Sequence, residues 1–213
     1  MGSHIDISVD FYQTASMMLK MRMVYKLARI GNSSFSFHTS VINENSGQVI
    51  AVMVLELVNV NVKSGKPEPL NPVFRQKANR ILDGFQLTAN PRLLLPSVNR
   101  ENCYCCKITV SNLDMDMNYH TTQLKYVDYA LECAARATES GHYKKLKGDI
   151  CDYCVKKSSF VHIAESRADD ELLVMTWEDQ LNPMLLYFVV TKEEKDLCHA
   201  KMEFYDPHLY SNL

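Results

Sequence analysis

The sequence predicts an α+β protein in which antiparallel strands curl around one long helix, with much of that pattern present twice. Three observations predict it. Residues 103 to 141 read as a strand, a polar turn and a helix. Elsewhere the chain is a succession of long alternating strands joined by short turns, the mark of an antiparallel meander. A weak internal repeat links the two halves. After a Gly31-Asn32 turn the first half runs SFSFHTSVINENSGQVIAVMVLELV, and after Asn182-Pro183 the second runs MLLYFVVTKEEKDLCHAKMEFY, each a hairpin with a polar, acidic loop.

Taken in order, Ile5 to Tyr12 alternates apolar and polar and reads as a strand, and Met17 to Ile30 reads as a longer one. Phe35 to Ile42 and Gln48 to Val62 follow as a hairpin around Asn43 to Gly47. Lys63 to Pro72 is a loop broken by Gly65, Pro67, Pro69 and Pro72. Phe74 to Leu82 reads as a short helix, and Arg92 to Ser97, between Pro91 and Pro96, as a loop or extended crossover. Cys103 to Val110 is the strand before the long helix. Ile150 to Ile163 reads as extended with a break at Lys156 to Ser159. Glu171 to Trp177, Met184 to Thr191 and Leu197 to Tyr205 are the last strands. The divisions expected are a first unit over 5–72, a linker over 73–100 and a second unit over 101–213.

The long helix is expected to start at Thr121 or Thr122, either of which can cap it, and to stop at Gly141, which takes the left-handed conformation that ends helices. Its polar positions, Lys125, Asp128, Glu132, Arg136 and Glu139, form one narrow stripe. Leu124, Tyr126, Val127, Tyr129, Ala130, Leu131, Cys133, Ala134 and Ala137 cover the rest, so the helix is expected to be wrapped on most sides. Asp114, Asp116, Asn118 and His120 cluster just before its start, where the dipole is positive and N–H groups lack acceptors. Such an arrangement suits a carbonyl that must become an oxyanion. Read alone, the same cluster also fits a turn and a helix cap.

Composition narrows the classes of function. A net charge of −2 argues against a nucleic-acid footprint or a polybasic membrane patch. The longest apolar run, Val49 to Val60, carries Glu56 and is too short to span a bilayer. Seven cysteines without a secretory signal point to reduced thiols in an intracellular compartment, cytoplasmic or organellar. The opening Met1-Gly2-Ser3-His4 reads as an expression remnant, which would place any targeting segment outside the sequence. Cys103, Cys105, Cys106 and the Cys151-x-x-Cys154 pair raise zinc as a reading. Strand placement of the first set and an extended 151–154 favour thiols that pack as small hydrophobes. Met17, Met18, Met21 and Met23 fit core filling or the lining of an acyl tunnel.

The string Asp114-Met115-Asp116-Met117-Asn118-Tyr119-His120, followed without a gap by Lys125-Tyr126, resembles the D-L-D-x-N-x-H-x-N-N-x-x-Y signature of hotdog-fold thioesterases. The likeness is to the acyl-ACP and 4-hydroxybenzoyl-CoA thioesterase branch. Ala28 to Ser34 resembles that family's "iGnSS" strand, and Thr122-Gln123 stands where the family has Asn-Asn. The resemblance implies two hotdog units in tandem, the first lacking its N-terminal strand and helix. Such a pair would supply within one chain what the family makes by dimerising, and a homodimer remains a second arrangement.

It further implies an acyl-CoA or acyl-ACP thioester hydrolase. Asp116 would be general base or nucleophile, Asn118 would orient water or substrate, and His120 would position the thioester or assist proton transfer. Glu165, where the branch has a glutamate on the following strand, would help activate water. Thr121, Thr122, Gln123 and Tyr126 would contact substrate, with backbone N–H groups of 121–123 polarising the carbonyl. No metal or redox cofactor is implied. The alternatives are a non-catalytic acyl-CoA-binding or scaffold protein and an enoyl-CoA hydratase. The hydratase is disfavoured because no proline follows Asn118 and His120 comes too early.

Overall fold

A computed structural model describes residues 1–14, 20–61, 64–82 and 102–209. The chain divides into two units, Met1–Arg92 and Leu93–Leu213. In the second, β5 (Tyr104–Thr109) leads through a 3-10 turn, Asn112–Asp114, into α3 (Gln123–Glu139). The remaining strands are β6 (Val155–His162), β7 (Glu171–Glu178), β8 (Leu185–Lys192) and β9 (Lys195–Phe204). They pair antiparallel in the order β6-β9-β8-β7-β5.

The helix lies against the apolar side of this sheet because its inward residues are small. Ala130, Cys133, Ala134 and Ala137 are fully buried, which lets the helix axis approach the strands closely. The sheet answers with Leu172 and Val174 of β7 and Leu186, Phe188 and Val190 of β8, all in the same core. Tyr126 and Tyr129 close one end of that core. At the other, Tyr143 is buried with its hydroxyl 2.7 Å from Thr176 Oγ1. Gly141 ends the helix at φ +73°, as its lack of a Cβ permits. The polar stripe faces water, reinforced by Arg136–Glu132 at 2.7 Å. Leu124, expected among the wrapped residues, lies in the first turn and is 78% exposed.

The first unit holds β1 (Gly2–Ile7), α1 (Val9–Thr14), β2 (Met21–Ile30), β3 (Ser34–Asn43), β4 (Val49–Val58) and α2 (Pro72–Ile81). Its strands pair antiparallel in the order β2-β3-β4-β1. That order matches β7-β8-β9-β6 of the second unit, so β1 occupies the place of β6, the strand that follows the helix. Among the described residues of the first unit there is no counterpart of β5 or α3. Among its described residues the helices are only six and ten residues long. On β2, Met21, Met23 and Tyr25 share one face and each is about half exposed or more. α2 packs beside the sheet through Phe74 on Phe35, ring centroids 5.2 Å apart, and Arg75 donates to the carbonyls of Gly31 and Asn32. The fold is a tandem hotdog.

Several elements differ from their sequence reading, each for a local reason. The strand expected over Ile5 to Tyr12 ends at Ile7, because Ser8 Oγ accepts the Asp10 N–H and starts α1. Extended chain expected from Ile150 begins at Val155, because Asp149 caps a 3-10 turn through the Cys151 N–H at 2.8 Å. No break occurs at Lys156 to Ser159. A register shift between Val155 and Lys157 absorbs the irregularity, and Lys156 pairs with Glu203 at 2.8 Å. Gly2, Ser3 and His4 pair with Glu56, Leu55 and Val54. The helix expected from Phe74 begins at Pro72, where proline suits the first turn. The crossover expected at Arg92 to Ser97 and the start of the strand expected from Met17 lie outside the described residues.

Candidate active site

Before α3 the chain folds into a tight hairpin, with Met115 bridged to Thr121. Ser111 and Asp114 cap each other across the 3-10 turn: Ser111 Oγ accepts the Leu113 N–H, and Asp114 Oδ2 accepts the Ser111 N–H at 2.9 Å. At the hairpin tip the Asp116 N–H donates to the His120 carbonyl at 2.8 Å. Asp116 Oδ1 accepts the N–H groups of Asn118 at 2.7 Å and His120 at 3.2 Å. This is the Asx geometry that an aspartate favours in a tight turn. Tyr119 takes φ +59° to complete it, a left-handed conformation that costs a non-glycine residue about 1 kcal/mol. Although desolvation opposes it, the two amides and the nearby Asn118 side chain and His120 ring hold the Asp116 carboxyl below its usual range.

The second half of the site comes from the loop after β6. His120 Nε2 lies 3.1 Å from Glu165 Oε2, bringing together residues 45 apart in sequence, with the glutamate largely solvent-facing. Ser166 fixes that loop. It is fully buried; its carbonyl accepts the Thr121 N–H at 2.9 Å, and its hydroxyl lies 2.7 Å from Thr121 Oγ1 and 2.9 Å from the Tyr126 hydroxyl. Thus Thr121 and Tyr126, at 7% and 2% exposure, anchor the loop from within. We expect Ser166→Ala to cost about 1–3 kcal/mol, as measured by denaturant unfolding, because the buried Tyr126 hydroxyl loses its partner while Thr121 Oγ1 keeps its bond to the Ser166 carbonyl. A change within 0.5 kcal/mol would mean that the Tyr126 hydroxyl finds another partner.

Donors at the helix entrance are divided between two tasks. The Thr121 N–H is held by Ser166, and the Thr122 N–H donates to the Asp114 carbonyl at 2.8 Å. Of the amides expected to polarise a carbonyl, those two are therefore engaged. α3 opens at Gln123, so its positive end lies at this site, and the Lys125 N–H donates to the Thr122 carbonyl at 3.0 Å. Thr122 is the N-cap but makes no side-chain cap bond. Gln123 is exposed. Beneath them Asp114 is buried, accepting the Tyr129 hydroxyl at 2.8 Å with Lys125 Nζ at 3.3 Å. Burial opposes its ionisation, but the Ser111 amide, Tyr129 and Lys125 outweigh it and hold the carboxyl below the usual range. Burial first, and then the Asp114 charge, push the Tyr129 phenol far up.

Two supporting residues, Ser166 and Tyr129, were not singled out from sequence as parts of the site. The signal available for Ser166 was its position beside Glu165. His162 packs edge-on to Tyr126 and stacks on Phe160, and burial depresses its pKa to about 4, so the ring is neutral at physiological pH. All seven cysteines are free thiols. Cys106 and Cys133 are buried in the core, and the Cys133 thiol donates to the Val174 carbonyl. Among the described residues no three His, Cys, Asp or Glu side chains gather closely enough to hold a metal ion.

The class that fold and site define is that of hotdog proteins built as tandem pairs. The structure is similar to the 12:0-ACP thioesterase from Umbellularia californica, with a TM-score of 0.73 at 14% identity over 96% of this chain and 73% of that one. It is similar to an acyl-ACP thioesterase from Bacteroides thetaiotaomicron, with a TM-score of 0.63 at 18% identity over 96% and 74%. An acyl-CoA thioesterase II from Mycobacterium marinum aligns at 0.51 and 15% identity over 98% and 81%. No protein-family model and no curated protein matches the sequence. At these identities the shared property is the tandem hotdog fold. Among the described residues no helix is long and apolar enough to cross a membrane.

Proposed function

We propose that the chain hydrolyses acyl thioesters, with an acyl-CoA or acyl-ACP as substrate, at the hairpin before α3. The observation that carries this reading is the contact of His120 with Glu165 directly beside the Asp116 turn, at a helix N-terminus in a tandem hotdog. Asp116, ionised and exposed, takes a proton from water as the water oxygen attacks the thioester carbon. Negative charge developing on the carbonyl oxygen falls at the positive end of α3. As the tetrahedral species collapses the C–S bond breaks, and the leaving thiolate takes up the proton that water gave. Asn118 orients the water, and Glu165 fixes the His120 ring beside the thioester. Gln123, exposed at the helix entrance, and Thr122 meet the pantetheine arm in this reading. Seven free thiols suit a reducing, intracellular compartment.

Glu165→Gln tests the pairing. Removing the charge that holds His120 lowers kcat about 10–100-fold with KM little changed, since Glu165 acts through His120 and not through substrate binding. An unchanged kcat would remove Glu165 from the mechanism. The second reading, a non-catalytic acyl-CoA binder, is favoured by one observation: the engagement of the Thr121 and Thr122 amides.

A further inference from the structure

At the start of β5, Cys103, the residue just before the strand, and Cys105 stand two residues apart on the side facing away from the core, while Cys106 is buried. Their sulfurs are 3.6 Å apart. Met175 of β7 lies directly across from Cys105 in the ladder. All three sulfur-bearing side chains line one open cavity of about 300 Å³, with Glu171, Glu193 and Glu194 around it and Lys107 as the cation.

The spacing is informative. Same-face neighbours on a strand have backbones about 6.6 Å apart, whereas a disulfide requires Cβ atoms within roughly 3.5–4.5 Å. A direct S–S bond therefore demands movement of the strand. An ion between the sulfurs needs far less: two sulfurs each about 2.3 Å from a three-coordinate metal sit about 4.0 Å from one another, a few tenths of an ångström beyond the distance observed. Hard and borderline divalent ions need three or four oxygen, nitrogen or thiolate donors, and no such group of three His, Cys, Asp or Glu exists among the described residues. Two thiolates with a thioether are instead the donor set that selects soft monovalent copper. Three carboxylates around the cavity raise the local concentration of cations, and the exposure of Cys105 gives the ion a route in.

We infer that Cys103 and Cys105, with Met175, form a binding site for a soft monovalent cation of the Cu(I) type. Binding displaces the two thiol protons. The site is separate from the Asp116–Glu165 chemistry and does not depend on it.

The test is an anaerobic titration of the full, reduced chain with Cu(I) in competition with bathocuproine disulfonate. The wild type withdraws one equivalent of Cu(I) per chain, Cys103→Ser/Cys105→Ser loses that equivalent, and Met175→Leu holds it more weakly. Cys151→Ser/Cys154→Ser behaves as wild type, and excess Zn(II) does not displace the copper. Circular dichroism checks that the double-serine chain is folded, and the single Cys105→Ser chain replaces it if it is not. Absence of competition by the wild type, equal competition by the serine variant, or ready displacement by Zn(II) would each overturn the assignment.

Discussion

On the proposed function, Asp116→Asn is expected to lower thioester hydrolysis by orders of magnitude while the protein remains folded. The two consequences separate because of how this side chain is used. Asp116 Oδ1 holds the hairpin by accepting the N–H groups of Asn118 and His120, and an asparagine oxygen accepts the same two bonds. What the amide cannot do is take a proton from water at neutral pH. The loss of a positioned base lowers kcat by about 10²–10⁴-fold. Release of free thiol from acyl-CoA, followed beside thermal unfolding of the same preparation, measures both. Retained turnover would show that the carboxylate is a structural turn residue, as its backbone bonds alone allow.

Phe188→Ala has the largest effect expected on stability. Phe188 is fully buried at the centre of β8, among Leu186, Val190 and the other residues that face α3. The small residues of α3 that permit close approach to the sheet also mean that the helix offers no long side chain from Ala130, Ala134 or Ala137 to fill the space left behind. Deleting the ring therefore leaves both lost transfer energy and a cavity, costing about 3–5 kcal/mol. The denaturant midpoint of the second unit falls accordingly with little change in slope. A loss below about 1 kcal/mol would mean that helix and sheet collapse onto the cavity, contrary to the tight packing inferred from Ala130, Ala134 and Ala137.

α3 was readable in the sequence because three independent signals agree on it: a narrow polar stripe, a threonine at its start and Gly141 at its end. The tandem arrangement was readable because hairpins repeat at matching positions, and the strand orders of the two units agree. What escaped the reading follows from short-range competition. Around Ser8, alternation favoured a strand, but a single hydroxyl accepting the Asp10 amide outweighs it. Leu124 is apolar yet exposed, because at the first turn of a helix the sheet does not reach around it. In the candidate site the hairpin residues could be named from their order along the chain. Glu165 came only from family resemblance, since no periodicity links it to His120. Ser166 carries no local pattern at all, because its three buried bonds are to residues 40 and 45 positions away.

The measurement that tests the central claim most directly is release of free thiol by the wild-type chain from short-, medium- and long-chain acyl-CoA and acyl-ACP thioesters. The proposed function predicts turnover that depends on chain length and is lost with Asp116→Asn. A folded chain that releases no thiol from any of them would contradict it and leave the hairpin as a turn and cap in a hotdog protein that binds without cleaving.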